Sequence, residues 1–319
     1  MRLSNPLSSS AWASLTGGGW SAADAPDQTG RVVLVTGANS GLGLHTTIGL
    51  ARKGARVLMA CRDAGRAEAA LRRVRLAVPG AAAELVTLDL ASLNSVESAA
   101  DEVASRVDAL DLLVDNAGVM ATPRTTTVDG FELQLATNHL GHFALTGRLL
   151  PLLLAAPSPR VVVVSSGAHR MGRIAFDDLQ GERSYSRWGA YGQSKLTNLL
   201  FARELGRRAA GTALLVAAAH PGYAATHLQS GHGSVALAAL LRVGNAVVAQ
   251  SDEAGALPSL YAATMPDVHP GDYWGPALAE VRGAPKRVGR SDAAQDDAVA
   301  GRLWDVSEQL TGVSYDLPA

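Results

Sequence analysis

Tyr191 and Lys195 lie four residues apart in "YGQSK", a spacing that puts both side chains on one face of a helix. An ammonium beside a phenol favours the phenolate. Bringing a tyrosine from about 10 toward 7 requires roughly 4 kcal/mol of differential stabilisation, at about 1.36 kcal/mol per unit. Such a pair could pass a proton to or from a reacting oxygen. Upstream, "VVVVSSGAH" offers the hydroxyls of Ser165 and Ser166, and periodicity alone does not separate them. Far earlier, "VTGANSGLG" places Gly37, Gly41 and Gly43 in a G-x-x-x-G-x-G pattern directly after an apolar run. A turn from strand into helix gathers unpaired backbone N–H groups at the positive end of a helix dipole, and glycines let an anion approach that backbone closely. A chain with 33 glycines also forms such triplets in ordinary turns, so the flanking elements must decide.

Those elements alternate. Apolar, β-branched runs at 31–36, 55–60, 84–88, 110–115, 160–165 and 212–218 read as strands covered on both faces. Between them, helical patterns fall at about 42–53, 64–77, 93–106, 128–154 and 188–209. Repeated β-α units predict a Rossmann-type α/β fold with one doubly wound parallel sheet and helices on both faces. No second set and no linker is evident, so residues 30–319 are expected to form one dinucleotide-binding domain behind an N-terminal arm, 1–29. Trp12 and Trp20 could tack that arm onto the body.

The glycine turn then sits between a strand and a helix, as a dinucleotide site requires. Roughly 20 residues further on, the end of the second strand should meet the adenosine ribose. Arg62 stands there in "MACRD". A guanidinium pairs with the 2′-phosphate of NADP, whereas a carboxylate would bond the ribose hydroxyls of NAD, so NADP is expected and NAD disfavoured. Asp63, one residue later, complicates that choice.

Composition narrows the class. A hydrophobic content of 47% with 18% charged residues describes a soluble globular chain, and a net charge of −1 supplies no field for nucleic acid. The single cysteine, Cys61, excludes an internal disulfide framework and suits a reducing cytoplasm. It reads as a small apolar filler rather than a reactive thiol. No run approaches the length of a membrane span, and residues 1–29 lack the charged start and apolar middle of a signal peptide.

With "DNAG" at 115–118, "TNHLGHF" at 137–143 and "HPGYAAT" at 220–226, the chain resembles the short-chain dehydrogenase/reductase family over nearly its whole length. "SSGAH", "RIAFDDLQGE" and "RLWDVSEQLTG" look most like its retinol-dehydrogenase-like branch and bacterial relatives. The resemblance implies a ketoreductase-type chemistry, hydride exchange between a nicotinamide and a carbonyl or alcohol, with Tyr191 as proton donor or acceptor and Lys195 as its electrostatic partner. It implies Ser166 as the carbonyl anchor and Asn138 as support for a proton relay. It also implies a cofactor shell of Gly37, Asn39, Ser40, Gly41, Leu42, Gly43, Arg62, Asp89, Leu90, Asn116, Ala117 and Gly118, with Tyr191 and Lys195, closed by Pro221, Gly222 and Thr226. The family usually has asparagine where this chain has Asp115, which bears on strand bracing more than on chemistry. Imine or C=C reduction, or a nucleotide-binding sensor without turnover, are the alternatives; a sensor has no need of the complete set Asn138, Ser166, Tyr191 and Lys195.

His139 and His142 share a helix face, but no carboxylate or cysteine accompanies them at a ligand spacing, so no metal is expected. His169 and His227 fall near the expected substrate entrance. The stretch "SVALAALLRVGNAVVAQ", 234–250, carries one charge, Arg242, within the substrate-covering segment expected at about 227–250. As a helix it could cover a pocket for an apolar substrate, join subunits of a homo-oligomer, or touch a membrane. The want of basic residues ranks the membrane last.

Overall fold

The structure, a computed structural model, describes residues 19–222 and 250–317. Thr226, His227, Trp12 and nearly all of the 227–250 segment lie outside the described residues.

The eight strands are β1 (Val32–Thr36), β2 (Arg56–Cys61), β3 (Ala83–Thr87), β4 (Leu112–Asp115), β5 (Arg160–Val164), β6 (Leu215–Ala219), β7 (Tyr273–Leu278) and β8 (Arg282–Arg287). They form one sheet in the order β3-β2-β1-β4-β5-β6-β7-β8. All neighbours pair parallel except β7 and β8, which are antiparallel. β8 therefore departs from an all-parallel sheet, because a short turn can join only antiparallel neighbours. The strand order reverses between β1 and β4, which opens a crevice above their C-terminal ends.

Helices α1 (Gly41–Arg52), α2 (Ala64–Ala77), α3 (Leu93–Ala104), α4 (Gly141–Ala155), α5 (Arg187–Arg208), α6 (Asp252–Thr264) and α7 (Asp297–Thr311) cover the sheet. Two apolar layers result, one on each face. Leu34, Leu113, Val161 and Val216 face Phe143, Leu199 and Trp304 on one side. Val33, Val35, Val57 and Val162 face Leu44, Leu260 and Trp274 on the other. This two-sided burial is why the strands read as continuous apolar runs.

The helix expected from residue 128 starts later. Gly130 takes φ +87 in a turn where Thr126 bridges Glu132, and helical structure begins at Leu133. It passes through a π-helical turn, Ala136–Leu140, before α4. Trp20 packs edge-on against Tyr261, centroids 5.1 Å apart, and its indole N–H points at the Met265 sulfur 3.2 Å away. No helix among the described residues is long and apolar enough to cross a membrane.

Candidate active site

The glycine turn joins β1 to α1. Gly37 and Gly41 have φ of +66 and +53, where a side chain is strained. Gly43 is required for a different reason: a Cβ there would stand 2.3 Å from the Gly37 carbonyl oxygen and 2.5 Å from Asn116 Nδ2. The Asn116 amide also donates to the Thr36 carbonyl at 2.8 Å, so the "DNAG" loop after β4 is fastened to the glycine turn. Ser40 flanks α1 without a side-chain bond to it, which leaves the first-turn N–H groups of Gly41, Leu42 and Gly43 uncapped. Asn39 is half-buried beside them.

At the end of β2, Cys61 is buried and its thiol is pushed up to about 11 by burial, as suits a packed, unreactive side chain. Arg62 follows it, exposed, 3.9 Å from the Asp89 carboxylate. Asp63 is engaged elsewhere: its carboxylate caps α2, accepting from the Arg66 backbone N–H at 2.8 Å. Asp89 also accepts from the Ala91 N–H at 3.0 Å, and the Leu90 carbonyl lies so close to Gly141 that a Cβ would meet it at 2.3 Å.

The residues expected to do chemistry converge from three elements. Tyr191 and Lys195 occupy one face of α5, both buried, with the Lys195 ammonium 5.9 Å from the phenol ring centroid. Ser166 follows β5, its hydroxyl accepting from the Ala168 N–H at 3.2 Å and lying beside the Tyr191 phenol, whose ionisation it favours. Ser165 points the other way, donating to the Lys195 carbonyl at 2.7 Å. The two hydroxyls that periodicity left equivalent are thus separated by packing. Asn138, in the π turn, donates to the Val119 carbonyl at 2.9 Å and to Ser194 Oγ at 2.8 Å, while its amide oxygen accepts from the Val119 N–H at 2.8 Å. A Cβ on Gly118 would lie 3.0 Å from that oxygen and 3.4 Å from Lys195 Nζ. Ala117 abuts Gly37. Beyond β6, Gly222 has φ +70 and room for no Cβ against the Val281 carbonyl, and the Pro221 carbonyl accepts from Gln250.

The electrostatics differ from the expected phenolate. Burial raises the Tyr191 pKa, and the nearby Ser166 hydroxyl offsets this only in part. Burial also lowers Lys195 to about 8. In the protein alone the phenol keeps its proton at neutral pH. The lysine charge is 5.9 Å from the ring and donates to the Val164 carbonyl at 3.2 Å, so it does not outweigh desolvation.

The histidines diverge. His139 bonds Ser307 Oγ at 2.8 Å and packs among Phe143, Phe201 and Trp304. His142 contacts Thr36. His169 is not an exposed residue of an entrance; it is 1% exposed, between the Ser166 carbonyl and the Ser291 N–H. Trp188, three residues before Tyr191 and edge-on to it at 6.0 Å, is 53% exposed and was not singled out in the sequence. Its position one helical turn from Tyr191 was the available signal.

The short chain dehydrogenase family profile matches residues 31–234. Retinol dehydrogenase 14 of Mus musculus is 43% identical over 298 residues, 89% of this chain and 86% of its own length. Human retinol dehydrogenase 13 is 40% identical over 292 residues, 89% of this chain and 85% of its own. A crystal structure of a Mycobacterium paratuberculosis protein superposes with a TM-score of 0.78 at 46% identity, covering 94% of this chain and all 100% of that one. The Pseudomonas aeruginosa RhlG/NADP active-site complex superposes with a TM-score of 0.62 at 25% identity, covering 77% and 94%. The chain belongs to the short-chain dehydrogenase family and is an NAD(P)-dependent oxidoreductase. Within that family it falls in the retinol-dehydrogenase-like branch.

Proposed function

We propose that this chain is an NADP(H)-dependent oxidoreductase acting on the carbonyl or alcohol of an apolar small molecule, with Tyr191 as general acid and base. The observation that carries the reading is the convergence of three elements on one spot: buried Tyr191 and Lys195 on one face of α5, the Ser166 hydroxyl beside the phenol after β5, and Asn138 bonded to Val119 and Ser194. Gly43, which admits no side chain, and the uncapped N–H groups of α1 suit a pyrophosphate. Arg62 would take the 2′-phosphate, since Asp63 is occupied as a helix cap. Asp89 and Leu90 would lie against the adenine, and Asn116, Ala117 and Gly118 beside the nicotinamide ribose. When bound, the nicotinamide supplies or accepts the hydride.

The protein's own residues handle the proton. In reduction, Tyr191 delivers its phenolic proton to the substrate oxygen while the Ser166 hydroxyl holds that oxygen. In oxidation the proton returns the same way. The Lys195 cation lowers the cost of the phenolate formed in reduction. Asn138 keeps Val119 and Ser194 in register beneath them and supports the relay that reprotonates Tyr191.

An apolar substrate is supported by Trp188 beside Tyr191, by Met171 at 62% exposure five residues after Ser166, and by relatives named for retinol, an alcohol on an apolar polyene. The test is NADPH consumption across a panel of aldehydes and ketones of increasing apolar size. Expected is a kcat/KM that rises with size; preferred turnover of small charged keto acids, or of imines or enones over carbonyls, overturns the reading.

A further inference from the structure

Thr36, the last residue of β1, is fully buried and its hydroxyl oxygen is crowded. The backbone N–H groups of Asn116 and Ala117 both donate to it at 2.9 Å. A hydroxyl has two lone pairs and one proton, so both acceptor positions are taken. The proton has two directions: His142 Nε2 at 2.9 Å and the Val114 carbonyl at 3.3 Å. If His142 Nε2 carried a hydrogen, it would be a third donor to one oxygen. The Thr36 O–H therefore donates to His142 Nε2. On the other side of the ring, Nδ1 lies 3.1 Å from the Asn138 carbonyl, which can only accept. The ring is neutral, with its hydrogen on Nδ1, a tautomer fixed by its partners.

We propose that His142 is a positioning residue that couples the cofactor turn to the catalytic helix turn: Thr36 and the "DNAG" loop on one nitrogen, the Asn138 backbone on the other. The proposal rests on the oxidoreductase reading above and adds a residue to it. Asn138 sits in a π turn, Ala136–Leu140, where the helical register is widened. The imidazole of His142, four residues on and 2% exposed, reaches back to the Asn138 carbonyl at 3.1 Å. The Asn138 side chain in turn holds Val119 and Ser194, so a shift of its backbone reaches both neighbours of the Tyr191–Lys195 pair. A charged imidazolium would lose the Thr36 bond; burial chiefly, and the Lys195 cation to a smaller degree, already disfavour it.

Asparagine and glutamine divide the two roles, because the asparagine amide nitrogen falls near the position of Nδ1 and the glutamine amide near Nε2. His142→Asn keeps the donor to the Asn138 carbonyl; His142→Gln keeps only the partner of Thr36. Outer-shell partners of this kind typically change affinity or rate by about 10- to 100-fold. Expected for His142→Gln is a kcat about tenfold below that of His142→Asn, with the Kd for NADPH within about twofold of wild type. Thr36→Val should instead raise that Kd about tenfold. Equal losses of kcat in His142→Asn and His142→Gln, tracking Tm, would mean a scaffold role and overturn the proposal. Nitrogen-15 NMR of the folded wild type decides it without any variant or turnover: a protonated Nδ1 and bare Nε2 are expected, and an Nε2–H tautomer or an imidazolium at pH 7 overturns it. A wild type that binds NADPH but reduces no carbonyl would sink the oxidoreductase reading, while the tautomer and the Kd values still test the coupling.

Discussion

Arg62 stands 3.9 Å from the Asp89 carboxylate at the open end of β2, with its guanidinium side chain 60% exposed. The pair is too long and too wet to hold the arginine firmly. An incoming 2′-phosphate offers the guanidinium a better partner. Arg62→Ala is expected to weaken NADPH binding by about 1.5 to 3 kcal/mol, the range of a charged hydrogen bond, and to leave NADH unaffected. Fluorescence titration with both cofactors measures this, and an equal loss for both would remove Arg62 from the phosphate site.

On the proposed acid/base role, Tyr191→Phe should lower kcat by about 10² to 10⁴, with NADPH affinity nearly unchanged, because the hydroxyl it removes would be the proton donor. Retention of more than about a tenth of kcat contradicts the assignment. The raised phenol pKa also sets a sign. The protonated form serves reduction and the deprotonated form serves oxidation. Alcohol oxidation should therefore accelerate with rising pH, and carbonyl reduction should not.

Asp115 is a departure with a thermodynamic signature. At the end of β4, its carboxyl is fully buried against α4, accepts one bond from Thr146 at 3.1 Å, has no partner on its other oxygen, and is pushed up to about 8 by burial. The folded state therefore holds a proton that the unfolded chain releases near 4. Stability from this group is complete below that pH and is lost progressively as pH rises through about 8. Asp115→Asn carries no such penalty. It should be neutral near pH 4 and stabilising at pH 8, with about 4 kcal/mol as the ceiling at pH 7, at about 1.36 per unit. Urea unfolding of both proteins at the two pH values checks this; an effect independent of pH would show the carboxyl to be ionised in the fold.

Gly41 and Gly43 should respond differently to alanine. At Gly41 the nearest atom to a new Cβ is 3.9 Å away, so only the positive φ is costly, about 1 to 2 kcal/mol. At Gly43 the Cβ would collide with the Gly37 carbonyl and Asn116 at 2.3 and 2.5 Å, forcing the two cofactor loops apart. Gly43→Ala is expected to abolish NADPH binding and lower Tm further than Gly41→Ala. Comparable behaviour of the two would place the pyrophosphate away from this turn.

What the sequence determined by itself is what short spacing controls. Apolar runs covered on both faces, the glycine turn between β1 and α1, and the four-residue step from Tyr191 to Lys195 depend on neighbours along the chain, and the structure places the strands within three residues of their expected positions. β7 and β8 were not legible, since "YWGPAL" and "RGAPKR" carry proline and glycine and become strands only through pairing with β6 and each other. Likewise α7, ending at Gly312 with φ +68, is held against α4 and α5 by the burial of Trp304 rather than by a long apolar repeat. The different partners of Ser165 and Ser166, the burial of His169 and the partners of the His142 ring were decided only by tertiary structure. Each turns on partners brought close by folding: Lys195 for Ser165, Ser291 for His169, Thr36 for His142. The capping of α2 by Asp63, by contrast, is local: its carboxylate accepts from the N–H three residues on. A buried polar group must find a partner, and which partner it finds is a property of the assembled sheet and its helices.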